Sequence, residues 1–437
     1  MFIALVSAIL PAKRTRHTTA LVLVLCVTAF GPAVYAQPLS FEQALRMAQA
    51  RSRQLVAQDY AAAAAREMAV AAAQLPDPTL TAGVNNLPIN GADRFSLTSD
   101  FMTMRSVGVM QEFTREDKRQ ARAARFEREA EVAQANRTQA LANLQRDTAL
   151  AWLDRYYQDR VRDVLVAQRD EARLQGEAAD AAYRGARGSQ TDVFAARTAV
   201  AQIEDRIAQA DRQIASATTR LARWIGDAAS LPLGPTPPME ALRIDLTDIE
   251  VHAHHPQIDL LLKQEQVARA EVEIAQANKR ADWSAELMYS QRGPAYSNMI
   301  SINFSIPWQL DRKNRQDREL AAKLALIDQL QAQREEAARE HTADIRTWLQ
   351  QWQSNRDRLA RYDNSLIPLA AERTRAATAA YRGAGAPLTA VLEARRMEID
   401  IRLERVRLEM ENASVWAQLE YLVPQPGPGS LAKGELR

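Results

Sequence analysis

The stretch Tyr183-Arg184-Gly185-Ala186 occurs again 198 residues later as Tyr381-Arg382-Gly383-Ala384. The match extends from this pair in both directions, at separations between 194 and 198 residues. The further matched pairs are Thr191 with Thr389, Val193 with Val391, Trp152 with Trp348 and Asp117 with Asp311. A repeat that keeps nearly one spacing over this distance indicates one structural unit present twice. Any structural interpretation must therefore suit both copies.

Each repeated stretch lies at the end of a long helical segment. The first segment runs from about residue 116 to 183, and its twin from about 314 to 381, interrupted by a single proline. At 1.5 Å per residue each would be a rod on the order of 100 Å, which must pack lengthwise against other helices. An earlier helix is predicted to start at Ser40, capped together with Gln43, and to end at about Gln74.

After each repeated stretch the chain returns as a helix with apolar residues at alternating spacings of four and three. These positions are Ile203, Ile207, Ala210, Ile214, Ala217, Leu221 and Trp224 in the first copy, and Ile399, Leu403, Val406, Met410, Ala413 and Ala417 in the second. A sustained repeat of 3.5 residues indicates left-handed coiled-coil packing, and alanines allow close approach. Either helix alone would also fit an ordinary bundle, but two long hairpins favour extended helical packing.

Between the helices of each copy the apolar period changes to two. In the second copy the alternating apolar residues are Trp283, Ala285, Leu287 and Tyr289, followed by Ile300, Ile302, Phe304 and Ile306. In the first copy they are Leu80, Ala82 and Val84, followed by Val107 and Val109. This period predicts strands with one apolar and one polar face. Each copy therefore contributes a hairpin, with a loop at about 86–103 in the first and a turn at 292–294 in the second.

These hairpins have two interpretations. Strands of roughly ten residues have the length that crosses an outer membrane. The alternative is a small soluble sheet whose apolar face packs on the chain's own helices. Aromatic residues near the strand ends, namely Trp283, Tyr289, Phe304 and Trp308, fit a girdle at a membrane interface. Because the smallest barrels need about eight strands, a membrane interpretation requires an oligomer, with eight strands in a dimer or twelve in a trimer.

The first 36 residues are typical of a secretory signal. A basic stretch, 13–16, precedes an apolar run, 20–30, and Val34 and Ala36 supply the small residues of a cleavage site. The run is too short to span a bilayer as a mature helix. The single cysteine, Cys26, lies within it, so the mature chain would lack disulfides and thiolate metal sites.

Charge and proline content complete the expected organisation. The chain has 56 basic and 54 acidic residues, a balance that gives no indication of a nucleic-acid partner. Proline-rich residues 228–248 predict a connector, and the proline- and glycine-rich residues 424–437 predict a disordered tail. We therefore expect a signal peptide at 1–36, a first helix–hairpin–helix repeat at 37–227 and a second at 249–423.

Over about residues 38–423 the chain resembles the outer-membrane factor family of TolC-like efflux channels. The resemblance is carried by the opening Leu39-Ser40-Phe41-Glu42-Gln43-Ala44-Leu45, by Leu75-Pro76-Asp77-Pro78-Thr79-Leu80 before the first strand, and by the two repeated stretches. Their duplicated order of helix, hairpin, long helix, tip and return helix is more specific than any one motif. Gln111-Glu112-Phe113 with Lys118-Arg119 resembles members that serve heavy-metal pumps of the cobalt–zinc–cadmium or copper–silver type.

The resemblance implies a mainly α fold with a small β part. Long antiparallel helical hairpins would form a periplasmic tunnel, and four transmembrane strands per chain would give a twelve-stranded barrel in a homotrimer. The protein would lie in outer-membrane lipid, as a passive exit duct for heavy-metal cations. It would receive them from an inner-membrane resistance-nodulation-division pump through a periplasmic adaptor, or membrane fusion, protein. No cofactor is expected.

Two other classes of function are alternatives to this one. A soluble periplasmic coiled-coil adaptor or scaffold would also contain helical hairpins. Adaptors, however, usually have one hairpin flanked by compact β-domains, whereas this chain has two full units and a cleavable signal. An enzyme is not expected, because the sequence has no nucleophile elbow, no phosphate loop and no paired carboxylates in a predictable cleft.

The repeated stretches would be the periplasmic tips that dock the adaptor. The predicted docking residues are Tyr183, Arg184, Gly185, Gly188, Thr191, Asp192, Tyr381, Arg382, Gly383, Gly385 and Thr389. Their glycines would permit a tight reversal between helices; the alternative is that the tips are simple turns. Some family members close the entrance with aspartates after the second tip. Ala390 occupies the first such position here, so Glu393, together with Asp192, is predicted to form a partial acidic constriction.

Two groups of side chains could hold metal ions. The first is the only histidine cluster, and its imidazoles would suit zinc or a similar ion. The second is a methionine group whose thioethers would suit Cu(I). The residues are His252, His254 and His255, and Met102, Met104 and Met110. The alternative for the histidines is an ordinary polar helix start, so neither group is predicted as a metal site.

Overall fold

A computed structural model describes residues 38–243, 255–383 and 385–425 of the chain. The predicted signal peptide, His252, His254 and residues 426–437 of the predicted tail lie outside these residues. Within the described part the chain is mainly helical with one small sheet, as the sequence predicts. Its larger compact unit begins at Pro38.

The elements of the two copies follow the same order. The first copy contains α1 (Phe41–Arg51), α2 (Arg53–Ala72), β1 (Thr79–Asn85), β2 (Met104–Phe113), α3 (Glu116–Arg184) and α4 (Gln190–Ile225), followed by a short 3₁₀ helix (Gly226–Ser230). The second contains α5 (Pro256–Ala277), β3 (Trp283–Gln291), β4 (Met299–Ser305), α6 (Gln316–Arg361), a π-helical turn (Tyr362–Leu366), α7 (Ile367–Arg382) and α8 (Leu388–Glu420).

The first helical segment begins as predicted but is divided in two. The Ser40 hydroxyl accepts from the Gln43 amide at 3.2 Å and the Gln43 side chain accepts from the Ser40 amide at 3.0 Å, which is a capping box. The single helix predicted to reach Gln74 is wrong, because Ser52 adopts an extended conformation. The Ser52 hydroxyl then accepts from the Leu55 amide at 3.4 Å and starts α2.

The long helix of the first copy is continuous, whereas its twin changes pitch. α3 has 69 residues, and α6 has 46 before the five-residue π-helical turn. Pro368 lies at the second residue of α7. A proline inside a helix removes one hydrogen bond and clashes with the preceding turn, and a widened π turn accommodates both effects.

The core lies along α3, which packs against α2, α4, α5 and α8. Trp152 and Leu153 are fully buried there, and the Trp152 ring meets that of Phe41 edge to face at 5.4 Å. The heptad positions of the return helices are mostly buried, as predicted. Three of these positions, Ile214, Trp224 and Met410, are only half-buried, and at the end of α4 Ile225 is buried in place of Trp224.

The four strands form one antiparallel sheet in the order β1-β2-β3-β4. One row across the sheet consists of Leu80, Val109, Leu287 and Ile302. Because side chains alternate between faces, this register places the apolar residues of all four strands on one face. Within the described residues, β1 and β4 each have one hydrogen-bonded neighbour strand, so both outer edges are open.

Candidate functional site

The apolar face of the sheet is the first feature of the candidate site. Its side chains are largely uncovered: Leu80 and Ile300 are 72% exposed, Phe304 is 71% exposed and Ile302 is 64% exposed. The soluble-sheet alternative, in which this face packs on the chain's own helices, does not describe the structure. An apolar face of four strands left open in a single chain indicates contact with a partner or a lipid phase.

The opposite face carries hydrogen-bonding groups. Asn303 Nδ2 donates to the Glu286 carboxylate at 3.2 Å, and Asn85 Nδ2 donates to Ser106 Oγ at 2.8 Å. Gly108 lies between the strands on this face, where an added Cβ would stand 3.0 Å from Thr81 Oγ1. The sheet is thus polar on one side and apolar on the other, as a wall between water and lipid requires.

The methionines predicted as a possible Cu(I) site do not form one group. Met104 and Met110 project from the polar face near opposite ends of β2. Six residues of strand separate their Cα atoms by roughly 20 Å. Met102 precedes the strand and is 45% exposed. A soft cation would therefore meet these thioethers singly.

Aromatic rings cluster where the strands join the helices, an end we call the helix-side end of the sheet. Phe113 and Trp283 stack there with their ring centroids 4.2 Å apart, and Trp283 lies 6.4 Å from Phe304. Trp308, just beyond β4, is 85% exposed. Of the four predicted girdle residues, Tyr289 alone lies towards the other end of its strand.

A buried ion pair holds the helix-side end together. Lys118 Nζ donates to the Asp282 carboxylate at 2.5 Å, and the Arg115 amide donates to the same carboxylate at 3.0 Å. Burial raises the pKa of Asp282, but these two hydrogen bonds, together with the charges of Lys118 and Arg122, hold its pKa below the ordinary value. The sequence analysis did not identify Asp282. The only sequence feature that pointed towards it was its partner Lys118, which belongs to the repeated Asp117-Lys118 pair.

The first tip connects α3 to α4. Asp192 and Ser189 form a capping box that starts α4, with the Asp192 amide donating to Ser189 Oγ at 3.1 Å. The left-handed residue of this turn is Ala186, with φ of 54°, and not a glycine. Gly188 is needed for space, since an added Cβ would lie 3.2 Å from Ala182 Cβ. Gly185 has φ of −83°, so the expected role of its conformational freedom is wrong.

The second tip connects α7 to α8, and it packs against the first. Ala179 and Ala196 of the first hairpin form one buried cluster with Leu388 and Val391 of the second. The other predicted docking residues Arg184, Thr191, Arg382, Gly383, Gly385 and Thr389 are exposed. Tyr183 is 45% exposed, whereas its twin Tyr381 packs against the cluster. Phe194, 56% exposed beside the first tip, was not singled out by sequence reasoning.

Ion pairs link the helices near the tips. Arg395 of α8 pairs with Glu171 of α3. Further along, Arg206 of α4 pairs with Asp400 of α8 at 2.9 Å. Glu393 is exposed on α8 beside these contacts. The capping role of Asp192 occupies its carboxylate locally, and the constriction that it would form with Glu393 in an oligomer stays a prediction.

His255 is the one member of the histidine cluster that the structure describes. Its ring lies 3.6 Å from that of His341, centroid to centroid, and its Nδ1 accepts from the Gln257 amide at 3.3 Å as the N-cap of α5. Burial, together with His341 and Arg146, lowers the pKa of His255 to about 3. The cap fits the polar-helix-start interpretation. Among residues 38–243, 255–383 and 385–425, no three His, Cys, Asp or Glu side chains assemble as a metal site.

Membrane-spanning helices are a separate question. In the described ranges, no helix has the length and apolar composition to cross a bilayer.

Comparison with solved structures identifies the fold. The chain is similar to the outer membrane protein VceC of Vibrio cholerae, with 18% identity, 87% of this chain and 95% of that chain covered, and a TM-score of 0.71. It is also similar to the CmeC outer membrane channel of Campylobacter jejuni, with 11% identity, 89% and 87% coverage and a TM-score of 0.73. A third similar structure is the open state of the MtrE outer membrane channel of Neisseria gonorrhoeae, with 15% identity, 87% of this chain and 88% of that chain covered, and a TM-score of 0.71.

No protein-family model and no curated protein sequence matches the chain. At these identities the structural likeness establishes the fold alone: the chain has the fold of outer-membrane channels over nearly all of its described length.

Proposed function

We propose that this chain is a member of the outer-membrane factor family and forms the exit duct of a tripartite efflux system. The observation that carries the proposal is the sheet, in which an exposed row of apolar residues crosses all four strands and hydrogen-bonding groups lie on the opposite face. The likeness to outer-membrane channels supports it. The apolar face would meet outer-membrane lipid and the polar face would line a water-filled lumen.

The proposal requires several copies of the chain. Exposed strand edges attract pairing, and closing a sheet into a barrel removes them. In a homotrimer, β4 of each copy would pair with β1 of the next, and twelve strands would close one barrel. The helices support this arrangement too: only Ile345, Trp352 and Asn355 are buried among the 46 residues of α6. A neighbouring copy would cover the remaining faces of α6.

The partners follow from the position of the tips. The paired tips lie at the end of the helices remote from the sheet, because α3 alone would extend on the order of 100 Å from the sheet. There they would contact a periplasmic adaptor protein, which connects the duct to an inner-membrane resistance-nodulation-division pump. The duct is passive, and the pump supplies direction. Heavy-metal cations are the proposed cargo, on the sequence resemblance alone.

Single cysteines can test the position of the sheet. Without the signal segment, which contains Cys26, the chain has no cysteine. Ile300→Cys and Ser301→Cys are adjacent in β4 and face opposite sides. In outer-membrane vesicles, a water-soluble maleimide should label Ser301→Cys at least tenfold faster than Ile300→Cys, because a lumen is wet and a lipid face is not.

Two outcomes decide the matter. Equal labelling of both variants in detergent-solubilised, unfolded protein provides the control for intrinsic reactivity. Equal labelling in native vesicles, or recovery of the chain as a soluble monomer on membrane fractionation, would favour the scaffold alternative. The cargo has its own test: removing the chain from its host should lower tolerance to one or more of zinc, cobalt, cadmium, copper and silver, and unchanged tolerance to all five would exclude heavy-metal export.

A further inference from the structure

The two copies use the cations at their strand–helix junctions differently. In the first copy they are engaged internally: Lys118 pairs with buried Asp282, and Arg119 Nη1 donates to the Ala73 carbonyl at 3.1 Å. The corresponding residues of the second copy, Arg312 and Lys313, are both exposed. Arg312 donates only to a backbone carbonyl, that of Lys279, among the contacts described. This guanidinium therefore makes no direct ion pair among the contacts described, and the carboxylate that its charge influences, Asp317, is itself paired with Lys279.

The carboxylates of the second junction are also engaged elsewhere. Asp311 accepts from the Asn314 side chain at 3.0 Å. Asp317 pairs with Lys279 at 2.7 Å. Residues 311–319 carry four exposed cations, Arg312, Lys313, Arg315 and Arg318, against three carboxylates, Asp311, Asp317 and Glu319. Because Lys279 pairs with Asp317, the patch next to the sheet is net positive.

The alternation of apolar residues in β4 continues in the sequence past the end of the strand, as far as the turn that starts at Leu310. Ile306, Trp308 and Leu310 keep the period of two set by Ile302 and Phe304. They are 68%, 85% and 86% exposed, respectively. An exposed tryptophan and leucine followed at once by arginine and lysine is the order expected where a lipid-facing surface reaches a phosphate layer.

We propose that residues Ile306–Arg315, the junction segment, bind anionic glycerophospholipids in the membrane leaflet at the helix-side end of the sheet. Trp308 and Leu310 insert at the level of the acyl-chain ends, and Arg312, Lys313 and Arg315 bind the phosphates. This assignment rests on the proposed membrane position of the sheet. The occupant is lipid because these exposed apolar residues follow directly after the strand that carries the proposed lipid face, and the charge beside them is net positive.

The expected strength can be stated as a ratio. Each arginine or lysine at a membrane surface improves partition onto anionic lipid by about fivefold at moderate salt. Phosphatidylglycerol carries the net negative charge on which this electrostatic attraction depends, whereas phosphatidylethanolamine carries no net charge. The apolar residues contribute equally to both lipids. Charge variants should therefore change lipid preference, and apolar variants should change total lipid binding.

The test uses the full mature chain, purified as its folded oligomer. Native mass spectrometry counts bound lipids in an equimolar mixture of phosphatidylglycerol and phosphatidylethanolamine. The charge variant combines Arg312→Gln, Lys313→Gln and Arg315→Gln, and its matched control, farther along α6, combines Arg346→Gln, Arg358→Gln and Arg361→Gln. The charge variant should lower the phosphatidylglycerol preference by about fivefold for each cation removed, and the control should leave it unchanged.

A second variant separates the apolar contribution. Trp308→Ala with Leu310→Ala should lower the binding of both lipids and keep their ratio. The assignment is overturned if the charge variant keeps the preference of the unaltered chain. It is equally overturned if either variant loses the oligomer instead of lipid, which would mean that a second copy covers the segment. If the unaltered oligomer binds no lipid of either kind, the proposed membrane position itself fails.

Discussion

Leu287 provides the most direct measurement of the sheet's surroundings. It is the middle residue of β3, it lies between Val109 and Ile302 in the register, and it is 56% exposed in the single chain. In a soluble sheet, Leu287→Lys would place a charge in water and change the free energy of unfolding by about 0.5 kcal/mol or less. At the middle of a bilayer, a lysine on the lipid face of a barrel costs about 2–4 kcal/mol.

The assay is reversible folding of the mature chain into phospholipid vesicles, titrated with guanidinium chloride. We expect Leu287→Lys to lower the free energy of unfolding by about 2–4 kcal/mol per subunit, which is roughly a 30- to 1,000-fold change in the folded-to-unfolded ratio. The matched control is Met288→Lys, one residue along the same strand. Its side chain projects from the polar face opposite Gly108, so its effect should stay below about 1 kcal/mol.

The comparison of the two variants can refute the membrane position. Equal costs for Leu287→Lys and Met288→Lys would mean that both faces meet the same medium. A larger cost for Met288→Lys would mean that the polar face is the buried one. Either result would remove the reason for assigning the apolar face to lipid, whatever the fold of the helices.

Two further predictions concern the tips and the strand–helix junction. Gly188→Val should destabilise the first tip by about 1–3 kcal/mol, because its Cβ would crowd Ala182 at 3.2 Å. Gly383→Ala, whose added Cβ would have no atom nearer than 3.5 Å, should be nearly neutral. Amide hydrogen exchange measures both effects, and equal effects would contradict the steric explanation. The Asp282 carboxylate stabilises the folded state above its unfolded pKa of 3.8, and this stabilisation is lost as pH falls through the lower folded-state pKa. Asp282→Asn should therefore lower the free energy of unfolding by about 3–5 kcal/mol near neutral pH, because it leaves Lys118 unpaired. The same substitution should reduce the fall of this free energy at acid pH. An unchanged pH profile would mean that the ion pair is not the source of the acid sensitivity.

The strong periodic patterns predicted the fold well. The alternation of Ile300, Ile302 and Phe304 identified both the strand and the face that the structure leaves exposed. The 3.5-residue repeats identified five of the eight buried residues of α4 and five of the fifteen of α8. In both cases side chains of one kind recur with the period of the element and so occupy one of its sides. That side can therefore be identified from the sequence alone.

Local exceptions were not predictable from periodicity. Ser52 divides the first helical segment although its neighbours favour helix, because its hydroxyl can cap a new helix. Ala186 takes the left-handed conformation that the neighbouring glycines were expected to supply. Asp282 lies far from Lys118 in sequence, and only the packed structure reveals their pairing. Each exception depends on a contact or conformation that no repeating pattern records.

The differences between the copies carry the strongest argument for assembly. The twin helices α3 and α6 have related sequences, yet α3 buries 19 of its 69 residues while α6 buries three of its 46. The strands add a second point: each copy contributes one strand with neighbours on both sides, β2 or β3, and one strand, β1 or β4, with an open edge. A duplicated unit that was complete in one chain would bury equivalent surfaces in both copies. Because α6 leaves exposed much of what α3 buries, and both outer strands keep an open edge, we expect neighbouring copies to complete the sheet and the helical layer.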